Sequence, residues 1–220
     1  MKTLQVLGRG SSINVRKVLW TCHELGLVPE HVDWGSPALP LSSPAFLRLN
    51  PNAMVPVLVD DGFVLRESNS ICRYLARTYP HKEVPHQHPA GALLPADLQQ
   101  GALVEQWMDW QATELNNAWR YAFMALVRLS PAHTDDAAVL ASISNWNRHM
   151  AILDAALVQT GAFVTGPNFT LADVVLGLST HRWLCTPFDK PPLLAVARWH
   201  AQLLQREGFL RYGANPALGA

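Results

Sequence analysis

With 220 residues the chain can form one large domain or two small ones, with a sizeable core either way. Lys plus Arg and Asp plus Glu both number 17, so the formal net charge is zero, and nothing in it points to electrostatic capture of nucleic acid or of an anionic membrane. Charged residues are 15% of the chain, against about 25% in ordinary usage, while hydrophobic residues reach 49% and tryptophans number 8. That apolar excess must be hidden, either in one big core or in a self-association surface together with an apolar ligand pocket.

The cysteines are Cys22, Cys72 and Cys185, odd in number and far apart, with no CxxC pair. Neither a disulfide framework nor a zinc site is expected, which fits a reducing cytoplasm. The apolar part of the N-terminus, Leu4 to Leu7, is too short for a signal peptide, and the absence of a long apolar run predicts no transmembrane helix.

In chain order, Leu4-Gln5-Val6-Leu7 reads as a first strand and Gly8 to Ser12 as a loop. Val15, Val18, Leu19, Cys22 and Leu25 then recur at helical spacing, and Gly26 closes that helix. His31 to Trp34 is the expected second strand. Ser43-Pro44 reads as N-cap and first residue of a short helix through Leu49. A strand begins at Val55-Pro56, because proline in a strand is confined to its start, an edge or a bulge. Asp61-Gly62 between two apolar runs signals a tight hairpin, whose central residues need positive φ. Glu67-Ser68 ends the second hairpin strand and opens a helix to about Tyr79. A helix N-terminus offers free N–H groups and partial positive charge to a carboxylate.

Val55-Pro56 followed by Glu67-Ser68 resembles the glutathione-binding half of a glutathione S-transferase. The loop Gly10-Ser11-Ser12-Ile13-Asn14-Val15-Arg16 adds a second point of resemblance. Ser12 and Arg16 fit the Ser-x-x-x-Arg segment of the serine-type theta, delta and phi classes, and Asn14 is similar to the asparagine of the bacterial nu-like branch. The resemblance implies a thioredoxin-like α+β N-terminal domain, βαβαββα, over residues 1–80, a linker over 81–95, and an all-α domain over 96–220 that carries the second-substrate site. It also implies glutathione as co-substrate, no metal, and a cytoplasmic homodimer.

The resemblance gives each site residue a role. Ser12 would donate a hydrogen bond to the glutathione sulfur, helped by Asn14, with Ser11 the adjacent competitor. The physical demand is plain: a free thiol has a pKa near 8.5, and only the thiolate is the nucleophile. A donor aimed at sulfur favours the charged form. Ser12 can equally be a plain helix cap. Val55, before Pro56 in a cis bond, would pair with the cysteinyl backbone as a short strand addition. Glu67 would take the γ-glutamyl ammonium and Ser68 its carboxylate, the alternatives being a dipole-favoured acid and a plain cap. Met54 stands where many relatives place lysine, glutamine or arginine, which leaves the glycyl carboxylate to Asn52 or to a residue of 36–43.

Residues 81 to 91 hold Pro, Gly and three histidines, His81, His86 and His88, and read as a solvated linker rather than a metal site. A long helix is expected from Pro95 to about Leu129, with Leu103, Trp107, Trp110, Leu115, Trp119, Phe123 and Leu126 on one stripe. The resemblance turns this helix toward the substrate, with Trp110, Asn117 and Tyr121 near an apolar second-substrate pocket. Another helix is expected over 134–159, with Leu140, Ile143, Trp146, Met150, Leu153 and Leu157 inward. Thr170-Leu171-Ala172-Asp173 forms an S/T-x-x-D capping box, with Phe169 and Val174 as its hydrophobic staple. Asp173 is therefore a folding residue rather than a catalytic acid. Pro187, Pro191 and Pro192 mark a loop before a last helix, Ala195 to Arg206.

The expected reaction is attack of glutathione thiolate on a hydrophobic electrophile. The alternatives on the same scaffold are a glutathione-dependent peroxidase or disulfide reductase, which Asn14 keeps open, and a non-catalytic glutathione-binding protein, against which the intact Ser12, Val55-Pro56, Glu67 and Ser68 set argues.

Overall fold

The computed structural model describes residues 3–79 and 92–214. The expected linker histidines His81, His86 and His88 lie outside the described residues. The described residues form two compact units: those up to Leu94 together with those from Glu207 to Ala214, and those from Pro95 to Arg206.

The first unit has four strands, β1 (Leu4–Leu7), β2 (Glu30–Val32), β3 (Val57–Asp60) and β4 (Phe63–Arg66), in the order β2-β1-β3-β4. β1 is parallel to β2 and antiparallel to β3, and β3 and β4 form the hairpin closed by Asp61-Gly62. Three helices join them: α1 (Ile13–Glu24), α2 (Pro44–Leu49) and α3 (Ser68–Thr78). This is the expected βαβαββα order. β2 stops at Val32, short of the expected Trp34, because Trp34 turns off the ladder to bond back to Val32 O at 2.8 Å.

Strand alternation sorts the core into two layers. Val6 pairs with Leu58, both fully buried, and Leu7 pairs with Val57 on the opposite face. Leu7 and Val57 pack with Phe46 of α2, whose ring meets Trp34 at 5.1 Å. Helices α1 and α3 pack together and bury Val15, Val18, Trp20, Ile71, Cys72 and Leu75. Buried polar groups stitch the layer. Lys17 Nζ donates to Asn69 Oδ1 at 3.3 Å, and Thr21 Oγ1 donates to Cys72 Sγ at 3.2 Å. Asp60 accepts from the Tyr74 hydroxyl at 2.7 Å and the Tyr79 hydroxyl at 2.8 Å, which ties α3 to β3.

The closing segment belongs to this unit, although the sequence places it with the helical domain. A π-turn, Phe209–Gly213, lies on α1. Phe209 is buried against Trp20 at 5.0 Å, and Arg16 donates to the Gly213 carbonyl at 3.4 Å. Phe209 and Gly213 meet partners on α1, a pairing invisible to local pattern.

The second unit is helical: α4 (Leu98–Trp110), α5 (Asn116–Leu126), α6 (Asp136–Thr160), α7 (Leu171–Cys185) and α8 (Leu194–Leu203). The expected long helix runs without a break from Leu98 to Leu126, with a π-helical turn, Gln111–Leu115, set between α4 and α5. Buried Gln111 explains the turn: its Nε2 donates to Asn116 Oδ1 at 2.9 Å and to Ser179 Oγ at 3.0 Å. An inserted residue is how a helix re-aims such a group. Leu103 is exposed, since the buried stripe of α4 runs through Gly101, Val104 and Met108. Leu140 of α6 is 67% exposed, because the inward stripe begins at Ser142, whose hydroxyl donates to Ala118 O at 2.7 Å. α7 is buried on nearly all sides, as a helix apolar all round must be.

At the start of α7 the capping box forms. Asp173, fully buried, accepts from Thr170 N at 2.9 Å, Thr170 Oγ1 at 3.1 Å, Val164 N at 3.0 Å and Trp199 Nε1 at 2.9 Å. Burial pushes its carboxyl up to about 6 although the bonds to Val164, Thr170 and Trp199 pull it down. Thr170→Ala is expected to cost about 1 kcal/mol, read as a lowered denaturation midpoint at unchanged slope. Tyr79, raised from 10 to about 12 by burial and by its bond to Asp60, gives a second expectation. A phenol with a raised value contributes stability that is complete below its unfolded value and lost as pH climbs through the folded one. Between pH 10 and 12 the wild-type chain should therefore lose stability more steeply than Tyr79→Phe, in unfolding measured against pH.

Candidate functional site

One row of paired residues crosses the sheet: Val32, Leu7, Val57 and Arg66. Directly beyond it lie Gly8 after β1, Pro56 before β3 and Glu67 after β4. Neighbouring strands are about 4.8 Å apart, so the register alone gathers three segments that are distant in sequence.

Gly8 locks two of them together. A Cβ there would stand 2.6 Å from Val15 Cγ2 and 2.7 Å from Val55 Cβ, and its φ of 143° disfavours a side chain. The Gly8 N–H donates to Val32 O at 2.9 Å, and its carbonyl accepts from His31 Nε2 at 2.6 Å. The sequence treats Gly8 as loop and His31 as strand; neither stands out until the loop is seen pressed on Val55. Glycine just after a short strand is the signal that could have found it.

Ser12 is the N-cap residue of α1, yet its side chain makes no capping bond. Its backbone is held at both ends, by Ser12 N to Arg9 O and Arg16 N to Ser12 O, each 3.0 Å. The hydroxyl is thus not spent on the first turn. That turn contains no acid, so the positive end of α1 is not neutralised from within. Asn14 is the second helical residue, half-buried, and Ser11 is exposed in the turn before.

The Val55–Pro56 bond is cis. Its approach is shaped by Asn50, buried, whose Nδ2 donates to Met54 O at 2.7 Å and whose Oδ1 accepts from Asn52 N at 3.1 Å. Asn50 is a further residue that sequence reading passed over, although Asn-Pro-Asn is a turn signature. Asn52 is exposed, and Met54 is 61% exposed with only its carbonyl engaged here.

Glu67 has φ 71° and ψ 112°, a backbone region that non-glycine residues rarely adopt. It occupies the N-cap of α3 without a side-chain capping bond, so its carboxylate too is not used by the helix it precedes. Ser68 is the first helical residue and is buried. Two helix N-termini therefore flank the Val55–Pro56 turn.

The remaining expected residues lie in the helical unit. Trp110 packs on Trp107 at 5.1 Å and on His149 at 5.5 Å. The Tyr121 ring meets His133 at 4.9 Å, and its hydroxyl accepts from Asp135 N at 3.2 Å. Asn117 is exposed. Trp110 and Tyr121 thus serve packing inside their own unit. Among the described residues no group of His, Cys, Asp and Glu is arranged to hold a metal, and no helix is long and apolar enough to cross a membrane.

Residues 11–78 match the family model described as the glutathione S-transferase N-terminal domain. The chain is 36% identical to glutathione S-transferase GstB of Escherichia coli K12 over 201 residues, 90% of this chain and 92% of that protein. It is 33% identical to human glutathione S-transferase theta-1 over 71% of this chain and 64% of that one. Among solved structures, the theta class glutathione S-transferase of the citrus canker pathogen Xanthomonas axonopodis pv. citri, with glutathione bound, matches with a TM-score of 0.85. That likeness covers 97% of this chain and 98% of the other at 33% identity.

Gly8→Ala is expected to cost about 1–3 kcal/mol, as overpacking does. Gly62→Ala, also at positive φ but with nothing within 4 Å of the added carbon, should cost clearly less. Comparing the two denaturation midpoints isolates the crowding against Val55.

Proposed function

The chain belongs to the glutathione S-transferase family, and on that premise we propose that it binds glutathione at the Gly8–Val55–Glu67 end of the sheet and conjugates its thiolate to apolar electrophiles. The observation that carries this reading is the unspent Ser12 hydroxyl at the N-terminus of α1, which follows the loop whose Gly8 presses on Val55.

The roles follow from the local chemistry. Val55 would offer its backbone to the cysteinyl unit, a single strand-like pairing that orients the thiol. Glu67 would hold the γ-glutamyl ammonium, and Ser68, with the first N–H groups of α3, its carboxylate. Asn52 and the backbone near Met54 would meet the glycyl end. The thiol then faces the start of α1. There the Ser12 hydroxyl donates to sulfur, and the helix dipole and Asn14 favour the same charged form. Ser11 sits one residue too early to share the helix terminus. No base is required, because lowering the thiol pKa toward neutrality supplies the nucleophile. The thiolate attacks the electrophilic carbon, a C–S bond forms, and the leaving group departs with its electron pair.

For the apolar second substrate the family resemblance points to Trp110, Asn117 and Tyr121 of the helical unit, of which Asn117 is exposed. Phe63 and Val64 of β4, both substantially exposed, support self-association as a homodimer. Detoxification in the cytoplasm is the setting that suits such chemistry.

The test is the ultraviolet absorbance of bound glutathione thiolate against pH. A hydrogen bond to a charged group contributes about 1.5–3 kcal/mol, so Ser12→Ala should raise the bound thiol pKa by about 1–2 units. The conjugation rate near neutral pH should fall with it, while glutathione affinity changes little. An unmoved pKa in both Ser12→Ala and Asn14→Ala overturns the assignment.

A further inference from the structure

Outside the glutathione site, one cluster joins a nucleophile to a base. Cys185 ends α7, and its thiol is exposed. His181 lies one turn earlier, with Nε2 at 3.5 Å from Cys185 Sγ. On the far side of the same ring, His181 Nδ1 is 3.4 Å from His200 Nε2 of α8. The two imidazoles are parallel within 7°, with centroids 5.6 Å apart. That separation exceeds the N···N distance by about the two ring radii, which is possible only if the nitrogens lie on the line between the rings. The rings therefore meet edge to edge in one plane, with lone pair and N–H aligned, rather than face to face. Sulfur, imidazole and imidazole form a linear chain.

We propose that Cys185 is a reactive thiol, activated by His181 and His200, that undergoes exchange with small anionic disulfides such as oxidised glutathione. His181 Nε2 takes the thiol proton. The resulting imidazolium donates Nε2–H back to the thiolate and Nδ1–H to His200. His200 must be neutral to accept, and burial together with the facing His181 pushes it down to about 4. The thiolate attacks one sulfur of the disulfide, the S–S bond breaks, and a new Cys185–glutathione disulfide forms. The departing thiolate takes the proton from His181, so the disulfide is the oxidant and no other reagent is needed. This is the nucleophile, base and orienting-group arrangement that general chemistry requires.

Charge decides the class of disulfide. A helix C-terminus disfavours a thiolate. Lys190 answers this: its Nζ donates to Thr186 O at 2.6 Å and Phe188 O at 2.7 Å, covering the end of α7. It lies close enough for a Cys185 charge to raise its own proton affinity, as Asp189 also does, although burial has the larger, opposite effect. The ammonium and the imidazolium together favour an anionic reagent. The other two cysteines supply internal controls, since Cys22 and Cys72 are buried and burial pushes both thiols up, Cys72 to about 11.

The experiment treats the native protein at pH 7 with oxidised glutathione, and separately with cystamine, a cationic disulfide, and follows adduct formation by mass spectrometry with peptide mapping. With His181 beside it as base, Cys185 should react about tenfold or more faster than a peptide spanning 181–190, while Cys22 and Cys72 stay unmodified. Oxidised glutathione should outpace cystamine, relative to the same peptide. His181→Gln should bring Cys185 back to the peptide's rate, His200→Phe should slow it partially, and Lys190→Met should erase the preference for the anionic reagent. A wild-type rate equal to the peptide's overturns the proposal without any variant. So does a His181→Gln rate unchanged from wild type in protein whose circular dichroism is native.

Discussion

The functional end of the first unit depends on one constraint, the register that aligns Val32, Leu7, Val57 and Arg66 in a row. A slip of one residue at β3 would send Val57 to the face of Leu58 and carry Pro56 away from Gly8. The register is protected by burial on both faces: Val6 with Leu58 under α1 and α3, Leu7 with Val57 under α2. It is pinned again by Asp60, which Tyr74 of α3 and Tyr79 just past that helix grip from the far end of β3. The site is therefore positioned by packing well away from any residue that would touch a ligand.

Upon that frame the local backbone does specific things that side-chain identity alone would not require. Gly8 lets the α1 loop press on Val55 with no room for a methyl group. Asn50 bends the approach to Val55, and Glu67 accepts an uncommon φ. Conformations of this kind persist only when the surroundings over-determine them, and they collect where a ligand is held. Both helices that begin here leave their N-cap side chains without a capping bond, in contrast with Asp97, Asp135 and Ser43 elsewhere in the chain. At Ser12 the protein forgoes roughly 1 kcal/mol of capping, and at Glu67 it places a residue that is not among the favoured caps. Groups left out of their own helices are open to another partner, as the proposed glutathione site requires.

Periodicity and punctuation made most of the fold legible. Asp61-Gly62 marked the hairpin, Ser43-Pro44 the short helix, and Thr170 with Asp173 the capping box, because each is a local signal acting on its own neighbours. What stayed hidden depended on contacts distant in sequence. The π-turn at Gln111 exists because Ser179 is across from it, and the tail from Glu207 joins the first unit because Trp20 and Arg16 wait on α1. Leu103 and Leu140 were misjudged for a related reason: an apolar residue near an inward stripe is not on it, and polar Ser142 took the inward place through a bond to Ala118. At the candidate site the polar residues were legible from motif, whereas Gly8, His31 and Asn50, which shape the backbone, were not.

The chain also treats thiols in three distinct ways, and helix ends explain the difference. Cys22 and Cys72 lie within α1 and α3, buried, where desolvation keeps the sulfur neutral and inert. At the start of α1, the dipole and the Ser12 hydroxyl, which makes no capping bond, would suit the thiolate of the proposed glutathione, a role that would need neither a cysteine nor a base there. Cys185 sits at the opposite kind of terminus, where the dipole opposes ionisation. A thiolate at that end requires a proton acceptor and an added cation, and His181, His200 and Lys190 are the groups found beside it. A thiolate at a helix start is favoured by the dipole itself, whereas one at a helix end depends on side chains that offset it.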